Sequence, residues 1–120
     1  MNKQKICIIG GGLTGFVTAT ILSELNIDID LITGKIGKNS KSNRTTAISH
    51  SNYENLIKFK NFKFLKKYTW PSSKMELYTE NNYGAIYPMF ELDLDKTKNI
   101  KIFYMIKNSI IKKNIQKHKK

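Results

Sequence analysis

The feature that most constrains this chain is a run of three glycines directly after a short apolar segment near the N-terminus. Residues 5–9 have the length and β-branched character of a strand buried on both faces. Residues 13–25 place apolar side chains at helical spacing, with Asn26 at the expected C-terminal end. Residues 27–33 alternate as a second strand. This order predicts a βαβ unit with a right-handed crossover.

The glycines lie where the first strand would pass into the helix, and residues 10–15 fit the pattern G-x-G-x-x-G. In a dinucleotide-binding turn, Gly10 would allow the tight turn, Gly12 the approach of a pyrophosphate and Gly15 the close packing of helix on strand. The alternative is a glycine-rich turn without a ligand. A mononucleotide P-loop is excluded, because G-x-x-x-x-G-K-[ST] does not occur. The candidate cofactor-binding residues of this turn are Gly10, Gly11, Gly12, Leu13, Thr14 and Gly15.

Thr33 lies at the end of the second predicted strand, where such units normally carry an Asp or Glu that binds ribose hydroxyls. A threonine hydroxyl can also bond a ribose, but losing a charged acceptor costs about 1 kcal/mol or more. The sequence Thr33-Gly34-Lys35 would equally suit a 2′-phosphate, so binding of NADP stays open.

Charge and cysteine content exclude several classes. The chain has 120 residues, 21 Lys and Arg against 9 Asp and Glu, one cysteine and two histidines. A disulfide framework and a cysteine-rich zinc site are therefore excluded, and we assign no metal ligand. The glycines interrupt the apolar N-terminal stretch, which argues against a secretory signal, and no run of 18 apolar residues occurs.

The remaining two thirds of the chain are predicted to mix helices and strands. Residues 34–43 are predicted as a loop, and Ser49 as the N-cap of a helix that carries Tyr53, Leu56 and Ile57. Further strands are predicted at 75–78, 83–90 and 100–106, with antiparallel pairing and a turn at 81–82. Ser109 is predicted to cap a final helix.

The last 25 residues hold nine lysines and no acidic residue after Asp95. We interpret them as a solvated helix face. The alternative is a basic helix that binds an anionic membrane surface or nucleic acid. Three Ile on a short helix give only a weak apolar face for a membrane, and no aromatic residue that could stack on bases follows Tyr104.

Residues 44–49, Arg-Thr-Thr-Ala-Ile-Ser, together with Ile-Ile-Gly-Gly-Gly-x-x-Gly, carry a family resemblance. The chain resembles the start of the FAD-dependent aromatic hydroxylases of ubiquinone biosynthesis, of the 2-octaprenyl-6-methoxyphenol hydroxylase type, which are flavoprotein monooxygenases. Met75-Glu-Leu-Tyr resembles their first substrate-domain strand, and residues 103–108 resemble their G-Y-x-x-E-N segment. Lys107 stands where the family usually has Glu.

The resemblance implies an α/β fold, in which a Rossmann-like FAD-binding portion (residues 1–67) precedes the β-rich beginning of a substrate domain (68–120). It implies FAD as cofactor, NAD(P)H as reductant and an isoprenoid phenol as substrate. In such a protein the glycines of the turn would approach the FAD pyrophosphate and Thr33 would approach the ribose. Arg44 and Ala47 would lie near the flavin. The resemblance also implies a cytoplasmic protein. Such a protein would be at most peripheral on the inner membrane and would contact other ubiquinone-biosynthesis proteins.

Family members continue to a second flavin segment containing Gly-Asp, to which nothing here corresponds, so we expect weak or no FAD binding and no hydroxylation by these 120 residues. A truncated, non-catalytic remnant and a basic binding module are the alternative functions. No catalytic residue is assigned. We interpret Cys7 as a small buried hydrophobe, His50 as a surface residue, and Trp70 as part of core or hairpin packing.

Overall fold

A computed structural model describes residues 2–34, 43–94 and 98–116. Within them the chain has the predicted α/β class, with elements in the order β1 (Lys5–Ile9), α1 (Leu13–Leu22), β2 (Asp28–Ile32), β3 (Thr45–Ser49), α2 (His50–Leu56), a 3-10 helix (Lys60–Phe62), α3 (Leu65–Tyr68), β4 (Trp70–Ser72), β5 (Lys74–Glu80), β6 (Ile86–Asp93), β7 (Phe103–Lys107) and α4 (Asn108–Gln116). Most of the predicted loop at 34–43 lies outside the described residues.

The βαβ unit forms as the sequence predicts. β1 and β2 pair in parallel, from Lys5 opposite Asp28 to Ile9 opposite Ile32. α1 ends at Leu22 rather than at residue 25, and residues 23–25 continue as hydrogen-bonded turns. The hydroxyl of Ser23 donates to the Thr20 carbonyl at 2.7 Å, a local bond that competes with helix continuation.

The prediction that β1 is buried on both faces is wrong. Its side chains alternate between half-buried and exposed, and Cys7 lies on the exposed face rather than in a core. Ile9 on the same face is 83% exposed. The reason is the two-stranded sheet: among the described residues a helix covers only one of its faces, while parallel sheets usually have both faces covered.

A second sheet joins distant parts of the chain. β7 lies between β3 and β4 and is antiparallel to both. The sheet buries Ile48 and Ile106 on one face, against which α4 packs with Ile111 and Ile115. β7 was predicted from the sequence, whereas β3 and β4 were not. The sequence predicts a domain boundary at residue 67, and β3 and β7 pair although they lie on opposite sides of it. The domain boundary itself stays a prediction.

The hairpin of β5 and β6 is antiparallel, as predicted, and has a bulge at Leu77/Tyr78. Its turn is held by the Asn81 side chain, whose oxygen accepts from the Tyr83 and Ala85 amides at 3.0 and 2.9 Å. Gly84 adopts a φ of +79°, which a side chain would oppose. β7 was expected to belong with this hairpin but pairs with β3 and β4 instead.

The core lies where α1, the second sheet and the short helices meet. Its buried side chains are Phe16, Ile48, Tyr53, Phe62, Leu65, Ile106, Ile111 and Ile115. α4 begins at Asn108, so Ser109 lies inside the helix and is not its cap. Because Ile111 and Ile115 are buried in this core, the apolar side of α4 is already covered. Within the described ranges, no helix is long and apolar enough to cross a bilayer.

Candidate functional site

The glycine turn connects β1 to α1 through a backbone that only glycine accepts at two positions. Gly10 has a φ of +133°, and its amide donates to the Ile32 carbonyl at 2.9 Å. A Cβ on Gly15 would lie 2.2 Å from the Gly10 carbonyl oxygen, well inside the contact limit. These contacts place the first turn of α1 directly against the end of β1.

Gly12 presents an open backbone at the start of α1. A Cβ built on it meets no atom within 4 Å, and no side chain caps the helix. The first amides of a helix lack intrahelical partners, and the helix dipole adds positive potential at this end. An anionic group can therefore approach the backbone between Gly12 and Thr14. The strand, the open glycine and the helix stand in the arrangement that the sequence predicts.

Thr33 directly follows β2 and lies beside this turn. A Cβ on Gly11 would meet the Thr33 Cβ at 2.9 Å, so Gly11 allows this close approach. The position offers a neutral hydroxyl instead of a carboxylate. A ligand bound along the turn would gain a hydrogen bond here but no charge-assisted one.

Arg44 and Ala47 belong to the segment that leads into and through β3. The Arg44 carbonyl accepts from the Asn108 amide at 3.0 Å, which fixes the entry to β3 against the end of β7. The Thr46 hydroxyl donates to the Asn108 side-chain oxygen at 2.5 Å. Asn108 was not among the predicted site residues, because 62 residues separate it from Thr46 and only the pairing of β3 with β7 brings them together.

A cavity of about 420 Å³ separates α1 from β3 and α2. Its walls are mainly apolar, from Leu13, Val17, Leu56 and Phe59, with Asn52 and Asn55 among the polar contributors. The cavity brings together three of the predicted site residues, Leu13, Thr14 and Ala47, whereas Thr33 and Arg44 are not part of its lining.

Three aromatic residues form a stack between β7 and α2. The rings of Tyr53 and Tyr104 are parallel at 3.7 Å, and His50 stacks on Tyr104 at 6.0 Å. Burial, with smaller contributions from Tyr53 and Glu54, raises the pKa of Tyr104, so its phenol stays neutral at physiological pH. His50 is half-buried, and its Nδ1 accepts from the Lys101 amide at 3.4 Å, which corrects its interpretation as a surface residue.

Trp70 also differs from its prediction. It was expected in core or hairpin packing, but 78% of its surface is exposed on β4. The register explains the difference: Trp70 pairs with Met105, whose neighbours Tyr104 and Ile106 face the core, so Trp70 lies on the opposite face of the sheet.

A parallel βαβ unit with an open glycine turn is typical of dinucleotide-binding α/β proteins. No protein-family model and no curated protein sequence matches the chain. Among solved structures, 2,6-dihydroxypyridine-3-hydroxylase from Arthrobacter nicotinovorans matches with a TM-score of 0.61 and 16% identity over 99% of this chain. The p-nitrophenol 4-monooxygenase PnpA from Pseudomonas putida DLL-E4 matches with a TM-score of 0.63 and 17% identity over 96%.

The chain therefore shares the α/β fold of part of these two enzymes, and it spans 28% of the first and 29% of the second. At this level of identity the likeness concerns the fold. The shared fold is the α/β fold that the family resemblance implies.

Proposed function

We propose that these residues form the N-terminal, cofactor-binding portion of an FAD- and NAD(P)H-dependent monooxygenase that hydroxylates a phenolic ubiquinone precursor. The observation that carries the proposal is the turn at residues 10–15, where the space beside Gly12 is open at the start of α1. A pyrophosphate fits this turn, since it needs backbone amides, a positive helix end and no intervening side chain.

The chain's own residues would bind and orient the cofactor. The amides after Gly12 would hold the pyrophosphate, and Thr33 would contact the ribose beside Gly11. Arg44 and Ala47 would line the path of the flavin, with Asn108 fixing the backbone of Arg44. When bound, FAD would supply the redox chemistry that uses NAD(P)H and oxygen to hydroxylate a ring.

FAD titration of the 120-residue chain tests the proposal. We expect weak binding, because association costs several kcal/mol of lost freedom and Thr33 offers no charge at the ribose. The strongly basic surface can also attract phosphates nonspecifically. Flavin fluorescence should therefore be followed at low and high salt, and the component that resists salt is attributed to the turn.

Gly12→Val is the informative variant, because open space around Gly12 lets the side chain fit without a clash while it fills the pyrophosphate position. Ala85→Val, in the exposed hairpin turn, is the matched control. The salt-resistant component should disappear in Gly12→Val and persist in Ala85→Val. Binding that depends on salt and is equal in both variants would contradict a dinucleotide site at this turn.

A further inference from the structure

The hairpin of β5 and β6 carries a charge opposite to that of the chain as a whole. The sequence has 21 basic and 9 acidic residues, whereas residues 74–93 contain four acids and a single lysine. Direct pairing and the alternation along each strand place all four acids on one face, which we name the acidic face. The four exposed acids are Glu76, Glu80, Glu91 and Asp93.

The acidic face also leaves large apolar side chains open to solvent. Tyr78 lies between Glu76 and Glu80 on β5, is 56% exposed, and donates its hydroxyl to the Glu76 carboxylate at 2.8 Å. Ile86 pairs with Glu80 and is 73% exposed. A face with open apolar side chains inside a charged rim is typical of an interaction surface, and two strands alone are only marginally stable.

The hairpin itself supplies little positive charge to this face. The Lys74 ammonium lies 2.6 Å from a Glu76 carboxylate oxygen and 3.3 Å from one of Glu91. Glu76 and Glu91 are directly opposite each other, and like charges in directly opposed positions repel. One lysine is thus shared between two of the four acids, so a cationic surface against this face would stabilise it.

A surface of that kind is present on the chain at residues 58–67, which we name the basic segment. Its charged residues are all basic: Lys58, Lys60, Lys63, Lys66 and Lys67. These five side chains are exposed, while Phe62 and Leu65 between them are buried. The Glu24 carboxylate accepts from two backbone amides of the segment, at 3.2 and 2.8 Å, and five lysines against this one acid leave a positive surface.

We propose that two copies of this chain associate around a two-fold axis, with the acidic face of each hairpin docked on the basic segment of the other copy. Tyr78 and Ile86 would pack near Tyr68, which follows the basic segment and is 40% exposed. Charge also fixes the orientation, because hairpin on hairpin, or basic segment on basic segment, would bring like charges together. The association needs no cofactor and does not rest on the proposed function.

The size of the contact suits a reversible dimer. The two strands have seven and eight residues, which makes the hairpin about 24–27 Å long and roughly 10 Å wide. One face therefore covers about 250 Å². Two reciprocal contacts, counted on both copies, bury roughly 1,000 Å², which is at the lower end for specific interfaces. We therefore expect a weak dimer.

Sedimentation velocity of the 120-residue chain measures the association. Between micromolar and near-millimolar concentration, the sedimenting mass should rise from that of one copy to that of two. High salt should move this rise to higher concentration, because it screens exposed charges. A single copy at every concentration in low salt would overturn the proposal, and it is the result expected if a different polypeptide covers the hairpin.

Charge reversal tests which surfaces meet. Lys63→Glu with Lys67→Glu reverses the basic segment, and Glu80→Lys with Asp93→Lys reverses the hairpin. Each double variant alone should dimerise roughly tenfold more weakly or worse, because like charges then face each other. An equimolar mixture of the two should dimerise again, since every contact in the mixed dimer joins opposite charges.

Lys112→Glu with Lys113→Glu is the matched control, because it changes the net charge equally at two exposed positions of α4. It should dimerise like the unchanged chain. Circular dichroism checks the fold of each variant, and if the hairpin variant unfolds, Glu80→Lys alone replaces it. A mixture that stays monomeric, or a control that loses the dimer as the basic-segment variant does, would overturn the docking of hairpin on basic segment.

Discussion

Gly15→Ala separates two opposing effects at the glycine turn. Gly15 is the third residue of α1, and replacing a helical glycine with alanine normally stabilises a protein by about 0.8–1.0 kcal/mol. Here the added Cβ would lie 2.2 Å from the Gly10 carbonyl oxygen, 0.8 Å inside the 3.0 Å that real Cβ atoms respect. The contacted atom is backbone, so the helix or the turn must move.

Overpacking of this kind costs typically 1–3 kcal/mol, and the upper half of that range applies because Gly10 is already confined to a φ of +133°. We therefore expect a net destabilisation of about 1–2 kcal/mol, equivalent to a fall in melting temperature of roughly 5 °C for a chain of this size. Urea and thermal unfolding followed by circular dichroism measure both quantities.

Thr18→Ala is the control, because Thr18 is exposed in the same helix and its replacement gains helix propensity without a new contact. It should raise the stability by a few tenths of a kcal/mol. If Gly15→Ala raises the stability as Thr18→Ala does, the close approach of helix and strand is not a feature of the protein, and the argument for a dinucleotide turn loses its geometric basis.

Three further predictions concern the core, a helix cap and pH. Leu65→Ala should lower the free energy of unfolding, measured with a chemical denaturant, by about 2–5 kcal/mol, because Leu65 is only 1% exposed in the core. A decrease below about 1 kcal/mol would show that the core is packed more loosely. Ser49→Ala should cost about 0.5–1 kcal/mol by the same assay, since the Ser49 hydroxyl accepts from the Asn52 amide at 3.3 Å, and an unchanged stability would exclude the cap. The Lys74 ammonium holds the pKa of Glu76 below 4.5, so the hairpin gains stability above pH 4.5 and loses it as the pH falls through the lowered pKa. Hydrogen exchange of the hairpin amides should show this acid loss, and Lys74→Met should reduce it, leaving the smaller part that comes from the Tyr78 hydroxyl bonded to Glu76; an acid dependence unchanged in Lys74→Met would refute the role of Lys74.

Local patterns predicted the βαβ unit well. The bounds of β1 were correct because β-branched residues run up to the glycines, and the predicted N-cap of α2 was correct because Ser49 uses a local hydrogen bond. The hairpin likewise followed from alternation and from Asn81, whose side chain organises the turn. Helix ends were less accurate: α1 ends three residues early, and Ser109 does not cap α4.

What the sequence by itself determined is the α/β class and the glycine turn, because strand, turn and helix depend on residues close together in the chain. Tertiary structure alone decided which surfaces are covered. Cys7 and Trp70 carry the side chains of buried residues but lie exposed, since burial depends on what packs across a sheet. The same holds for Asn108, which meets Arg44 and Thr46 only through the antiparallel pairing of β3 with β7. Such long-range pairing leaves no periodic signal in the sequence, because it joins segments whose separation along the chain is set by the fold and not by local geometry.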